Sequence, residues 1–199
     1  MEWRNMASYH IQKRLFDLVF GSLLALLALP VMLCIAFYIK CVSKGPVIFK
    51  QSRVGRGGNA FVAYKFRSMH VEAKGSLDEI AADDERIIPG GKFLRSTHLD
   101  ELPQLWNVLV KADMSLVGPR PRPEEVDREW LKIDHSYLER QLVKPGITGP
   151  AQLDGRALTP EDKKKTVALE NGYVSNWSIW RDFAILFLTV PRVLSRRGI

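Results

Sequence analysis

Between Leu18 and Ile39 the chain carries no charged residue. At about 1.5 Å per residue, that run of about 22 residues is long enough to cross a bilayer. A surface helix of a water-soluble domain keeps a polar face, and this run has none, so it must meet lipid or be buried. It does not read as a signal peptide: it overruns the usual apolar region of one, and Cys34-Ile35-Ala36 is a poor cleavage site. Pro30 stands near its middle, where the missing N–H and the ring's clash with the Leu26 carbonyl predict a kink. Lys13 and Arg14 precede the run, and Lys40 and Lys44 follow it. Positive charge at both ends is best satisfied when both remain cytoplasmic. The expectation is a re-entrant helix that enters one leaflet, bends at Pro30 and returns; a kinked single-span anchor is the alternative.

The rest of the chain is large enough for one modest core, with 199 residues in all and 46% hydrophobic. A natural division places the membrane helix and its flanks in residues 1–44 and a cytoplasmic body in 45–199. With 29 basic against 22 acidic residues, the net charge of +7 calls for an anionic partner: membrane lipid, a phosphorylated substrate or nucleic acid. The apolar run puts membrane lipid first, and no repeated aromatic platform supports nucleic-acid binding. Cys34 and Cys41, the only cysteines, lie in or beside that run and imply neither a disulfide framework nor a metal cluster.

Val47–Gln51 and Ala60–Phe66 are β-prone runs around Gly55-Arg56-Gly57-Gly58-Asn59, a hairpin pattern carrying Lys50, Arg53, Arg56, Lys65 and Arg67. The stretch from His70 to Asp84 is acidic and loop-like. Asp100 and Glu101 fall where an amphipathic helix should begin, since Pro103 is tolerated in a first turn and Leu102, Leu105, Trp106 and Leu109 recur at helical spacing. A carboxylate at such an end faces unpaired N–H groups and should ionise easily. An acidic pair at a helix start is by itself only a favourable first-turn charge, and the chain has several other acidic pairs. Arg95 before it, and Arg120 fixed in Gly118-Pro119-Arg120-Pro121 after it, make this pair a candidate site.

Helical spacing continues over Glu124–Leu142. The Pro/Gly-rich stretch Lys144–Arg156 reads either as a phosphate cradle, with Arg156 adding a guanidinium, or as a buried turn. Trp177, Trp180, Phe183 and Ile185–Leu188, followed by Pro191, Arg192, Arg196 and Arg197, predict a helix lying at the headgroup level.

Together, Leu99-Asp-Glu-Leu-Pro-Gln-Leu-Trp-Asn-Val-Leu, Asp113-Met-Ser-Leu-Val-Gly-Pro-Arg-Pro, Pro145-Gly-Ile-Thr-Gly, Gln152 with Gly155-Arg156, and Tyr64-Lys-Phe-Arg-Ser-Met closely resemble the bacterial sugar transferases known as monotopic phosphoglycosyl transferases. The likeness extends over nearly the whole chain. It implies an α/β fold: a small, mostly helical body with a short β-hairpin, on a Pro-kinked re-entrant membrane helix, with amphipathic interfacial helices. It further implies transfer of a sugar phosphate from a UDP-sugar to polyprenyl phosphate at the cytoplasmic face of the bacterial inner membrane, with release of UMP. Asp100 would be the nucleophile and the Mg²⁺ ligand, and Glu101 its partner in the catalytic pair. Arg95, Arg120, Lys65 and Arg156 would hold phosphates. The chain departs from the family's usual pattern at Leu29 before the kink proline, at His98, in the Val110–Ala112 link and at Pro150. A catalytically inactive scaffold for glycan enzymes is the rival reading, which the joint presence of Asp100, Glu101 and Arg120 disfavours.

Overall fold

The computed structural model describes residues 3–70, 84–154 and 159–194. Its first element, α1 (Trp3–Val42), is a continuous helix of 40 residues that passes through Pro30. α1 contributes buried side chains to two hydrophobic clusters. Near one end, Tyr9 and Phe16 enter a core shared with Leu105, Met114, Leu116, Tyr173 and Ile185; near the other, Ile35 and Ile39 pack with Phe66, Ile88 and Leu94. Between them, Leu23, Leu26, Leu27 and Leu33 are exposed. One apolar helix therefore packs on the body along one face, through Phe20, Ala25, Ala28 and Met32 between those two sets of buried residues, and leaves its other face exposed.

The expected hairpin forms from β1 (Ile48–Val54) and β2 (Ala60–Phe66), antiparallel, with register from Ile48 opposite Phe66 to Val54 opposite Ala60. Gly57 and Gly58 make the turn at φ of 68° and 76°, a left-handed region that costs glycine little. Much of the hairpin's basic charge is structural. Buried Arg67 donates to the Ser43 and Lys44 carbonyls at 2.8 and 2.6 Å, and Arg53 donates to the Pro121 carbonyl.

A short helix, α2 (Gly91–Ser96), leads into a 3₁₀ turn over Leu99–Gln104 and a π-helical turn over Asn107–Lys111. The single amphipathic helix expected here is thus two short irregular turns. His98, at φ 55° in the left-handed region, starts the first without a side-chain cap. Pro103 inside it supplies no N–H.

β3 (Ser115–Val117) pairs in parallel with β4 (Gly146–Thr148), a pairing that the sequence pattern does not announce. It requires glycine: a Cβ on Gly146 would lie 2.1 Å from the Gly118 nitrogen, and one on Gly149 2.1 Å from the Gly118 carbonyl oxygen. Over Gly146–Gly149 the Pro/Gly-rich stretch is a strand and turn packed on the Gly118 backbone. Its glycines admit a neighbouring backbone, and α4 (Pro150–Asp154) follows directly.

The helix expected over Glu124–Leu142 is divided into α3 (Glu124–Ile133) and a 3₁₀ segment over His135–Leu142. Asp134 breaks it with an extended backbone, and its carboxylate accepts the Ser136 N–H at 2.9 Å. α5 (Pro160–Ser175) begins with a capping box between Thr159 and Asp162. The last helix, α6 (Ile179–Leu194), continues through Pro191 in its final turn, where one lost hydrogen bond is tolerated. It exposes Trp180, Phe187, Leu188 and Val190. The acidic stretch over 71–83, and Arg156, Arg196 and Arg197, lie outside the described residues.

Candidate active site

Leu99 and Leu102 pack into the core under the second end of α1, which seats the 99–104 turn against the membrane helix. The turn is closed by the Glu101 N–H, which donates to the His98 carbonyl at 3.0 Å. Asn107 then fixes the hairpin beside it. Its fully buried side-chain amide donates to the Val62 carbonyl at 2.7 Å and to Asp113 at 3.1 Å, and its oxygen accepts the Tyr64 N–H at 3.1 Å. Lys65, one residue along β2, is thereby placed over the turn.

Lys65 Nζ lies 2.6 Å from Glu101 Oε1, and Arg120 Nη2 lies 3.0 Å from the same oxygen. Glu101 is 6% exposed, and burial alone would raise its pKa. The charges of Arg120 and Lys65 outweigh burial and hold it well below the usual carboxylate range. Burial pulls Lys65 the other way, below the ordinary lysine value, and Glu101 opposes it.

Asp100 is 7% exposed, and among the described residues its carboxylate has no hydrogen-bond or ion-pair partner. Burial lifts it to about 6, against the opposing charge of Lys65, with the Glu101 charge adding to the lift. The expectation that a first-turn Asp100 ionises easily is therefore corrected. In this short turn burial outweighs the N-terminal field, whereas Glu101 stays ionised to far lower pH. Adjacent acids with environments that push their pKa values apart have different chemical uses. Glu101 collects cations, and Asp100 keeps an unoccupied pair of oxygens.

Of the other candidate phosphate ligands, Arg120 and Lys65 meet at Glu101. Arg95, on α2, contributes its charge to Asp100 without an ion pair to either acid. The sequence reading missed Asn107, and it missed Glu170, whose Oε1 accepts the Arg120 N–H at 3.1 Å. The Asn in Leu-Trp-Asn-Val-Leu, a poor helix former amid apolar residues, was the available signal for the first.

No group of three or more His, Cys, Asp or Glu suited to a metal occurs among the described residues. A magnesium ion needs no such cage: one or two carboxylates suffice when substrate phosphates and water complete the shell. The unpaired carboxylate of Asp100 fits that role, and Glu101, one of whose oxygens already holds Lys65 and Arg120, fits it less well.

A buried carboxylate pair beside two fixed cations, carried on a turn packed against a helix long and apolar enough to cross a membrane, is the candidate active site of this chain. The chain belongs to the bacterial sugar transferase family, whose model matches residues 8–196. It is similar to a UDP-glucose:undecaprenyl-phosphate glucose-1-phosphate transferase of Klebsiella pneumoniae, 44% identical over 182 residues, covering 89% of this chain and 39% of that protein. A protein of the same description from Caulobacter vibrioides is 40% identical over 189 residues, covering 93% of this chain and 70% of the relative. An undecaprenyl-phosphate galactose phosphotransferase of Salmonella typhimurium is 41% identical over 203 residues, covering 94% of this chain and 41% of that protein. The chain thus spans about two fifths of the length of the Klebsiella and Salmonella relatives.

Proposed function

We propose that this chain transfers a sugar phosphate from a UDP-sugar to a polyprenyl phosphate through a covalent intermediate on Asp100, releasing UMP. The observation that carries the reading is the division between the two acids: one buried carboxylate ion-paired twice, its neighbour buried and unpaired. A carboxylate near pKa 6 with no protein cation on it is largely ionised at neutral pH and keeps one oxygen free to attack even where the other holds a metal. A carboxylate oxygen of Asp100 attacks the phosphorus that bears the sugar, and the bridging P–O bond to UMP breaks. An oxygen of polyprenyl phosphate then attacks the same phosphorus. The P–O bond to Asp100 breaks, the carboxylate returns, and polyprenyl diphosphate sugar is formed.

Lys65, Arg120 and Arg95 supply positive charge where phosphoryl transfer develops negative charge. Lys65 and Arg120 are fixed in advance by Glu101, so little reorganisation is needed on reaction. Bound magnesium, held by Asp100 and the donor phosphates, would neutralise charge on the diphosphate. The relatives' names make UDP-glucose and UDP-galactose the first donors to try.

A re-entrant course for α1 is supported by its packing on the body near both ends. A helix crossing a hydrocarbon core of about 30 Å would carry one end away from that body. The active site then lies on the same face as both helix ends, which we place in the cytoplasm.

The experiment is UMP release from UDP-glucose and UDP-galactose in nanodiscs containing polyprenyl phosphate and Mg²⁺, with Asp100→Asn in parallel. A donor labelled in the sugar-bearing phosphate, without acceptor, should label the wild type and not the variant. Release by folded Asp100→Asn at the wild-type rate would remove Asp100 from the reaction; no release by the wild type would favour the scaffold.

A further inference from the structure

Arg120 is held through its backbone as well as through its side chain. Pro119 and Pro121 flank it and have no N–H, so the only peptide donor of this tripeptide is that of Arg120. That N–H donates to Glu170 Oε1 at 3.1 Å, and the Arg120 carbonyl accepts from Arg140 Nη2. The two clamping groups are joined to each other, with Arg140 Nη1 3.3 Å from Glu170 Oε2. Arg122 Nη1 approaches that same oxygen at 3.4 Å. Glu170 is fully buried and Arg140 is 5% exposed.

A buried carboxylate shared by two guanidinium groups is an expensive way to satisfy one loop peptide, because desolvating three charges cancels much of their attraction. Water or a neutral side chain would serve an ordinary turn. What the charged cluster adds is direction: both polar groups of the Arg120 peptide are fixed from separate elements, α5 and the 135–142 segment. The guanidinium is thereby aimed at Glu101, 3.0 Å away.

We propose that Glu170 and Arg140 are positioning residues that set the Arg120 guanidinium at the phosphate-handling centre. The proposal rests on the reading of Asp100 and Glu101 as the reaction site. If Arg120 meets charge that develops during transfer, loosening its backbone lowers kcat more than it raises KM. Misplacement by about 1 Å costs up to about 100-fold.

The test is a double-substitution cycle on UMP release with Arg140→Met, Arg120→Ala and the two combined, with thermal unfolding followed for each. Arg140→Lys, which retains the charge beside Glu170 but lacks the fork reaching the Arg120 carbonyl, serves in place of Arg140→Met if that variant does not fold. The expected result is a kcat loss of about 10- to 100-fold for either Arg140 substitution, with KM for the UDP-sugar within about twofold. In the Arg120→Ala background the same substitution should cost less than about threefold, because the group it positions is already gone. An equal loss with and without the Arg120 side chain, in folded protein, overturns the positioning role and leaves the active-site reading intact. Absence of release by the wild type overturns both.

Discussion

The ammonium of Lys13 lies 2.6 Å from a carboxylate oxygen of Asp182, joining α1 to α6 in a pocket where Lys13 is 4% exposed and Asp182 is fully buried. Tyr173 Oη and Trp177 Nε1 also donate to that carboxylate, at 2.7 and 3.1 Å. Lys13 lies in α1 on the N-terminal side of the uncharged run, so this pair ties that part of α1 to the helix that exposes Trp180 and Phe187. Lys13→Met should strand a buried anion and cost about 3–5 kcal/mol, whereas Lys13→Met with Asp182→Leu should recover most of that loss. Thermal unfolding in detergent reads both. A double variant destabilised by the sum of the two single losses would contradict the coupling.

Asp100→Asn should separate activity from stability. Loss of the nucleophile should cut UMP release by more than about 1,000-fold. The same substitution should stabilise the fold, because the Asp100 pKa is about 6 in the folded chain against an ordinary 3.8. A raised carboxyl binds its proton more tightly when folded, so its contribution to stability falls as pH rises from about 4 through 6. The variant should gain up to about 3 kcal/mol at pH 8 and little at pH 4, by denaturant unfolding at both pH values. A gain that is larger at pH 4 would invert the assignment.

The pH profile of wild-type release should lose activity below about pH 6, where Asp100 becomes protonated. In Glu101→Gln the like charge beside Asp100 disappears while Lys65 and Arg120 remain. The acid limb of the residual activity should therefore move to lower pH. A limb that stays in place would assign it to another group.

Two glycines should respond in opposite directions to alanine. Gly146→Ala drives a Cβ into the Gly118 backbone and should destabilise by about 3 kcal/mol or more, displacing the loop that carries Arg120. Gly172→Ala, in the interior of α5, meets nothing within 4 Å and should stabilise by about 0.5–1 kcal/mol. Melting temperatures of both variants, measured together, test the reading of these close approaches.

What the sequence by itself determined is local. The uncharged run forms one long helix, the glycine-rich turn with its flanking β-prone runs forms the hairpin, and the 99–104 turn begins beside the carboxylate pair with Pro103 inside it. Propensity, charge spacing and turn chemistry act over a few residues, and all of them can be read in order along the chain. Lys144–Arg156 marks where that reading stops: whether a glycine faces a ligand or another strand depends on what folds against it, and here it is Gly118. Tertiary structure alone decided which acid has the raised and which the lowered pKa. Asp100 and Glu101 are adjacent and equally buried, and they differ because Lys65 and Arg120, brought in from β2 and from the loop after β3, both reach Glu101. Burial and the position of opposite charge fix a carboxyl group's pKa, and neither exists until distant segments of the chain have packed together.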